Sequence, residues 1–167
     1  IGAVYTRTSH GLPLRHELSP AERDELIGRF YCPHHEKLTE AVRAEMEQYG
    51  SALLIDCHSF PSRPLPCDAG QDPERPDFCV GTDPLHTPEW MVDIVCTELR
   101  GGGHTVAVNR PYSGVLVPTE YLKDERVTAV MVEVNRALYM HESSGQKAER
   151  YDETKTVIAG LLRVLAE

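Results

Sequence analysis

The sequence has no surplus of positive charge: 17 Lys and Arg stand against 26 Asp and Glu, a formal net charge of -9. A groove for phosphates needs clustered cations, so nucleic acid is excluded as the expected partner and a small molecule is favoured. No apolar run approaches the roughly 20 residues of a membrane span, so no membrane association is expected. The five cysteines, Cys32, Cys57, Cys67, Cys79 and Cys96, are odd in number and contain no C-x-x-C pair. That excludes a disulfide framework or a cysteine zinc site and points to a reducing, cytoplasmic setting. The G-x-S-x-G elbow of serine hydrolases is missing, as is the H-E-x-x-H helix of many metalloproteases. Gly101–Gly103 follows a helical stretch instead of preceding one, the wrong order for a phosphate-binding loop. The first residues carry no basic cap followed by an apolar core, so no secretory leader is read. Residue 1 is Ile, which suggests a processed or trimmed chain.

What is present is the composition of an ordinary globular domain, 41% hydrophobic and 26% charged. At 167 residues the expectation is a single domain spanning 1–167. The stretch to Ser19 reads as loop, with at most a short strand at 3–6. Ser19-Pro20 with Glu22 three residues after the serine is a helix-start signature. A second helix is expected from about Pro33 to Tyr49, with Leu38, Val42 and Met46 on one face and Gly50 ending it. The apolar runs 51–57 and 127–134 read as buried central strands. Further strands are expected at 77–81 and 104–108, and helices at about 88–100 and 152–165. Residues 59–88 form a long Pro-, Asp- and Gly-rich excursion, of the kind that often carries function. The pattern predicts one α/β domain with a mixed, mostly parallel central sheet and helices on both faces.

Several residues could carry chemistry, and each has a plainer reading. His58 closes the run Asp56-Cys57-His58-Ser59 at the carboxyl edge of a strand, where its imidazole could bind zinc and Asp56 could fix its tautomer. The alternative is a hydrogen-bonded histidine packed at a strand end. Glu133 lies inside an apolar strand, where a carboxylate is costly to bury unless it is paired or faces a site. It could move protons at a metal site, or it could point to solvent or pair with Arg136. Asn109, Arg110 and Tyr112 lie on a loop bent by Gly114, and with Arg136 they suit a small acidic substrate, because guanidinium pairs bidentately with carboxylate. A surface turn would look the same. His34 and His35 start a helix and are usually structural there. His10, His16, His86, His104 and His141 have no partner spacing and read as surface or loop residues.

Taken in order, the blocks 31–38 (YCPHHEKL), 53–64 (LLIDCHSFPSRP), 75–83 (RPDFCVGTD), 109–114 (NRPYSG) and 131–140 (MVEVNRALYM) resemble the N-formylglutamate amidohydrolase family, itself similar to the zinc carboxypeptidases. The resemblance covers about Phe30 to Met140. It implies a zinc carboxypeptidase-like fold, zinc as cofactor, His58 as the last of three metal ligands, Glu133 as general base, and His35, Asn109, Arg110, Tyr112 and Arg136 around the substrate. The implied reaction is hydrolysis of an N-formyl or N-acyl amide of an acidic amino acid. Family members carry a segment ahead of the first block that contains the other two ligands, so an N-terminal part is expected to be missing here. Two other functions compete with this expectation. One is a carboxypeptidase or amidase acting on a different acyl or peptide substrate. The other is a binding module that has lost the metal.

Overall fold

The computed structural model describes residues 3–166. Helix α1 (Pro20–Leu26) begins at a complete capping box. The Ser19 hydroxyl takes the Glu22 amide and the Glu22 carboxylate takes the Ser19 amide. The Ser19 amide bond, with the Ser19 hydroxyl and His16 behind it, holds the Glu22 carboxyl down at about 2. The chain does not stop at Leu26. It widens into a π-helical turn, Ile27–Tyr31, and continues as α2 (Cys32–Tyr49), which ends at Gly50 with φ +75°. The 3–6 stretch forms no strand. Its neighbourhood holds only an isolated bridge between Arg7 and Pro13.

After α2 come β1 (Ala52–Phe60), β2 (Phe78–Gly81), α3 (Glu89–Gly101), β3 (Val106–Val108) and β4 (Val127–Asn135). A small ribbon of β5 (Met140–His141) and β6 (Gln146–Lys147) follows, and α4 (Tyr151–Ala166) ends the described chain. The main sheet has the order β1-β4-β2-β3. β1 with β4 and β2 with β3 are parallel, while β2 runs antiparallel to β4. The mixed, mostly parallel sheet with helices on both faces agrees with the expectation.

One face carries Val130, Val132 and Val134 of β4 with Phe78 and Val80 of β2, packed under Met91, Val95 and Leu99 of α3 and Leu161 of α4. Each fully buried aliphatic or Phe side chain there contributes about 1.5–3 kcal/mol relative to exposure. The other face carries Ala52, Val127 and Ala129 beneath Val42 of α2 with Val117 and Tyr121. Two irregular stretches, 61–77 and 109–118, cover the remainder of it. Gly81 ends β2 where a Cβ would lie 2.5 Å from the Gly114 carbonyl oxygen, so glycine is what lets the second stretch lie so close to the sheet.

The expectation of two central strands holds for β4 and fails for β1. β4 is buried along nearly its whole length, whereas β1 is an edge strand, with Leu53, Cys57 and His58 exposed. An apolar run signals burial by neighbours without saying which neighbours supply it, and among the described residues nothing pairs with the second edge of β1. No helix among the described residues is long and apolar enough to cross a membrane. All five cysteines are free thiols.

Candidate active site

Strand alternation puts Asp56 and His58 of β1 on one face, and the parallel register sets His58 directly opposite Glu133 of β4. Cys79 of β2 stands opposite Glu133 on the other side. Cys57 therefore faces away from the site. The His58 Nε2 lies 2.8 Å from Asp56 Oδ1. The second Asp56 oxygen accepts the Leu116 amide at 3.1 Å, which anchors the carboxylate to the covering loop. With Nε2 committed to Asp56, Nδ1 of the half-exposed His58 is the nitrogen left to bind a metal, the arrangement of a ligand oriented by a carboxylate behind it.

Glu133 is buried and its Oε2 has no hydrogen-bond partner. Burial, seconded by the Asp56 charge, pushes its carboxyl above the usual carboxylate range, while His58, Arg136 and Arg75 pull the other way. A buried carboxyl with a free oxygen beside a histidine suits proton transfer. Arg136 does not pair with Glu133. Its Nε and Nη2 donate to the hydroxyl and carbonyl oxygens of Ser59, stitching β1 to the short helical turn after β4.

The remaining expected site residues divide. Tyr112 lies over the site face: its ring meets Phe60 edge-on, and its carbonyl accepts the Cys79 thiol at 3.1 Å. Asn109 is a positive-φ residue whose side chain binds the Thr82 amide and hydroxyl, so it ties the end of β3 to the end of β2. Arg110 is exposed and pairs at 3.3 Å with Asp72 in the long excursion. His35 stacks on Tyr31 along α2 and lines a depression with Thr39 and Arg43.

Sequence reasoning missed a buried cluster in the long excursion. The Arg75 side chain is 2% exposed and pairs with Asp68 at 2.5 Å. Asp68 also accepts the Tyr112 hydroxyl and the Leu65 amide. In the sequence these two residues are separated by Gly, Pro and polar residues and carry no periodic signal. Two histidines expected on the surface are buried. Both ring nitrogens of His86 face carbonyl oxygens, Val127 at 2.7 Å and Leu122 at 3.3 Å. His104 packs edge-on to Phe78, with Asp77 at 3.9 Å. His86 is held by a main-chain carbonyl and His104 by packing on Phe78, and neither contact leaves a repeating pattern in the sequence.

An apolar groove of about 640 Å³ runs between β1 and α4, lined by Ile55, Cys57, Val132, Val134, Tyr151 and Ile158. Most of these strand residues face away from Asp56 and Glu133, but His58 and Arg136 also line the groove, so it abuts the candidate site at the edge of β1. No three His, Cys, Asp or Glu side chains converge among the described residues. His58 and its Asp56 support fit one position of a zinc site, but the donor set present does not complete one.

Comparisons with known proteins place the chain among relatives. Residues 1–140 match the N-formylglutamate amidohydrolase family. N-formylglutamate deformylases of Pseudomonas aeruginosa and Pseudomonas putida are each 29% identical over 167 residues, covering 93% of this chain and 60% of theirs. The crystal structure of an N-formylglutamate amidohydrolase from Ralstonia eutropha JMP134 superposes with a TM-score of 0.83 at 31% identity, covering 96% of this chain and 59% of that one. A protein of Agrobacterium tumefaciens, 18% identical with a TM-score of 0.67 over 98% of this chain and 63% of its own, shares the fold. The chain thus spans about three fifths of the length of the curated relatives it matches. With the family match over residues 1–140 and the shared fold, the chain belongs to the N-formylglutamate amidohydrolase family.

Proposed function

We propose that this chain carries the proton-transfer part of an amidohydrolase that cleaves an N-formyl or N-acyl amide of an acidic amino acid such as N-formylglutamate. The observation that supports it best is the buried Glu133 with its unpartnered Oε2, opposite the Asp56-braced His58 on the adjoining parallel strand. Glu133 takes a proton from the attacking water and returns it to the leaving amine, which frees the acidic amino acid and formate or another carboxylate. Burial raises the affinity of Glu133 for a proton and so favours the first transfer, while the basicity of the leaving amine draws the proton in the second. The proposed cofactor is zinc, which supplies Lewis acidity when bound, with His58 as one ligand. No group of three His, Cys, Asp or Glu side chains among the described residues completes the donor set. Arg136 is held by Ser59 beside the groove, on the face away from Glu133, and Arg110 pairs with Asp72 at the surface, so neither guanidinium is assigned to a substrate carboxylate.

The test is release of formate from N-formylglutamate by the natural gene product, with other N-acyl and peptide amides run beside it. No turnover of any of them would overturn the reading. The incomplete donor set favours a second reading, a binding module without catalysis, and zinc analysis of the natural gene product separates the two.

A further inference from the structure

The Asp68–Arg75–Tyr112 cluster determines what Tyr112 can offer a bound molecule. Asp68 Oδ2 accepts the Leu65 amide at 2.9 Å and Arg75 at 2.5 Å, and Oδ1 lies 3.1 Å from the Tyr112 hydroxyl. Burial alone would raise the Asp68 carboxyl, but the Leu65 amide, Arg75 and Tyr112 together hold it below its ordinary value. Asp68 is therefore ionised and can only accept, so the proton between the two side chains belongs to Tyr112. Burial also keeps the phenol protonated, with its pKa pushed upward. The hydroxyl oxygen meets Arg75 Nη1 only at 3.4 Å, a long contact that leaves a lone pair for a better donor.

Tyr112 is also fixed over the reacting face. Its carbonyl is held by Cys79, the cross-strand neighbour of Glu133, and its ring by Phe60, two residues beyond His58 on the same face. Arg75 lies against the Phe60 and Tyr112 rings, 5.8 Å and 5.7 Å from their centroids. A substrate nitrogen within reach of both Glu133 and Tyr112 would have to enter between that face and this roof.

We infer that Tyr112, its own proton committed to Asp68, accepts a hydrogen bond from the N–H of the scissile amide, so that the site selects secondary amides over esters of the same shape, with Asp68 and Arg75 as positioning residues. This rests on the hydrolase reading above. It also gives Tyr112 the opposite polarity from the one its phenol suggests in the sequence, where it reads as a group for a substrate carboxylate.

The test compares N-formylglutamate with its isosteric ester, in which oxygen replaces N–H, on the natural gene product and on Tyr112→Phe. Intrinsic reactivity cancels when the amide-to-ester ratio of kcat/KM is compared between proteins. The expected result is a ratio about 10-fold lower in Tyr112→Phe, with the loss confined to the amide, the size of one good hydrogen bond to a substrate. Asp68→Ala should lower the ratio as well, and Asp68→Asn, whose carbonyl oxygen can still accept the phenol proton, should restore most of it. A ratio unchanged in Tyr112→Phe, or equal losses on both substrates, overturns the inference. If Tyr112→Phe does not fold, the Asp68→Ala and Asp68→Asn pair decides by the same criterion. If the natural gene product hydrolyses neither compound, the hydrolase reading falls and calorimetric binding of the two compounds replaces turnover. Amide-over-ester preference in binding that disappears in Tyr112→Phe then upholds the hydrogen bond, and equal preference in both proteins rejects it.

Discussion

His58 and Glu133 stand directly opposite each other across the parallel β1–β4 ladder, one half-exposed and braced by Asp56, the other buried with a free oxygen. Parallel neighbours in register send their side chains to the same face, so strand pairing alone brings a candidate ligand and a candidate base together. In the natural gene product Glu133→Gln should lower kcat by about 10²-fold or more while bound metal is retained, because it removes proton transfer and leaves His58 untouched. Wild-type turnover in that variant would move the base elsewhere.

The same carboxyl links stability to pH. Its folded pKa lies above the unfolded value of 4.5, with burial as the main cause. Between those two values the folded state binds the extra proton. The contribution of Glu133 is thus fully present below about pH 4.5 and is lost as pH rises through the folded pKa. Without metal, Glu133→Gln should be more stable than wild type at pH 7 by about 1 kcal/mol or more, and the gap should close at pH 4. Urea titrations at the two pH values check this, and a gap that is constant with pH or reversed in sign contradicts it.

The fold was legible wherever burial leaves a period in the chain. β4, α3, α4 and the Ser19 cap follow directly from apolar runs and capping residues. The π turn at Ile27–Tyr31 was not, because one widened turn barely disturbs helical spacing. The edge position of β1 was hidden because Ser51–Cys57 is as apolar as an interior strand. In the site, Asp56, His58 and Glu133 could be read from their place at or within strands. The Asp68–Arg75 pair could not, since an ion pair closed by an irregular loop depends on the path of the chain and not on spacing. Asn109 was legible as a loop residue but not as the tie to Thr82 that it forms.

His86 should prove a structural keystone. Its ring lies between the Val127 and Leu122 carbonyls and donates its N–H to one of them, and its own carbonyl accepts the Ala129 amide, so it joins the loop before α3 to the start of β4. His86→Phe keeps the volume but strands the buried carbonyl that takes the ring N–H, at a cost of about 1–3 kcal/mol. The urea midpoint should fall with an unchanged m-value. A shift within experimental error would mean that the ring holds nothing of consequence.

β1 presents an open edge next to the exposed Leu53, and an edge of nine residues is a template for pairing with another chain. A polypeptide of these 167 residues should self-associate as its concentration rises, and Leu53→Lys should shift it toward monomer. Sedimentation of both forms at matched concentrations measures this. A monomeric wild-type polypeptide across the range would show that the edge is protected.

Metal binding by the same polypeptide gives the sharpest test of how the site is assembled. A catalytic zinc takes three protein ligands and keeps a position open, and its affinity depends on all three being held in place. Here His58 offers Nδ1, Asp56 is engaged by His58 and the Leu116 amide, and Cys57 points to the opposite face. His35, at the start of α2, is stacked on Tyr31. Among the described residues Glu133 is the carboxylate that remains on that face of the β1–β4 pair, and using it as a ligand would remove the proposed base. The 167-residue polypeptide should therefore hold well under one zinc per chain after dialysis, with His58→Ala making little difference. The natural gene product should hold close to one, and lose it on His58→Ala. Elemental analysis of the four proteins at equal concentration decides between these outcomes: a full zinc in the 167-residue form, lost on His58→Ala, would mean that Glu133 or a displaced His35 completes the site and that proton transfer belongs to another group.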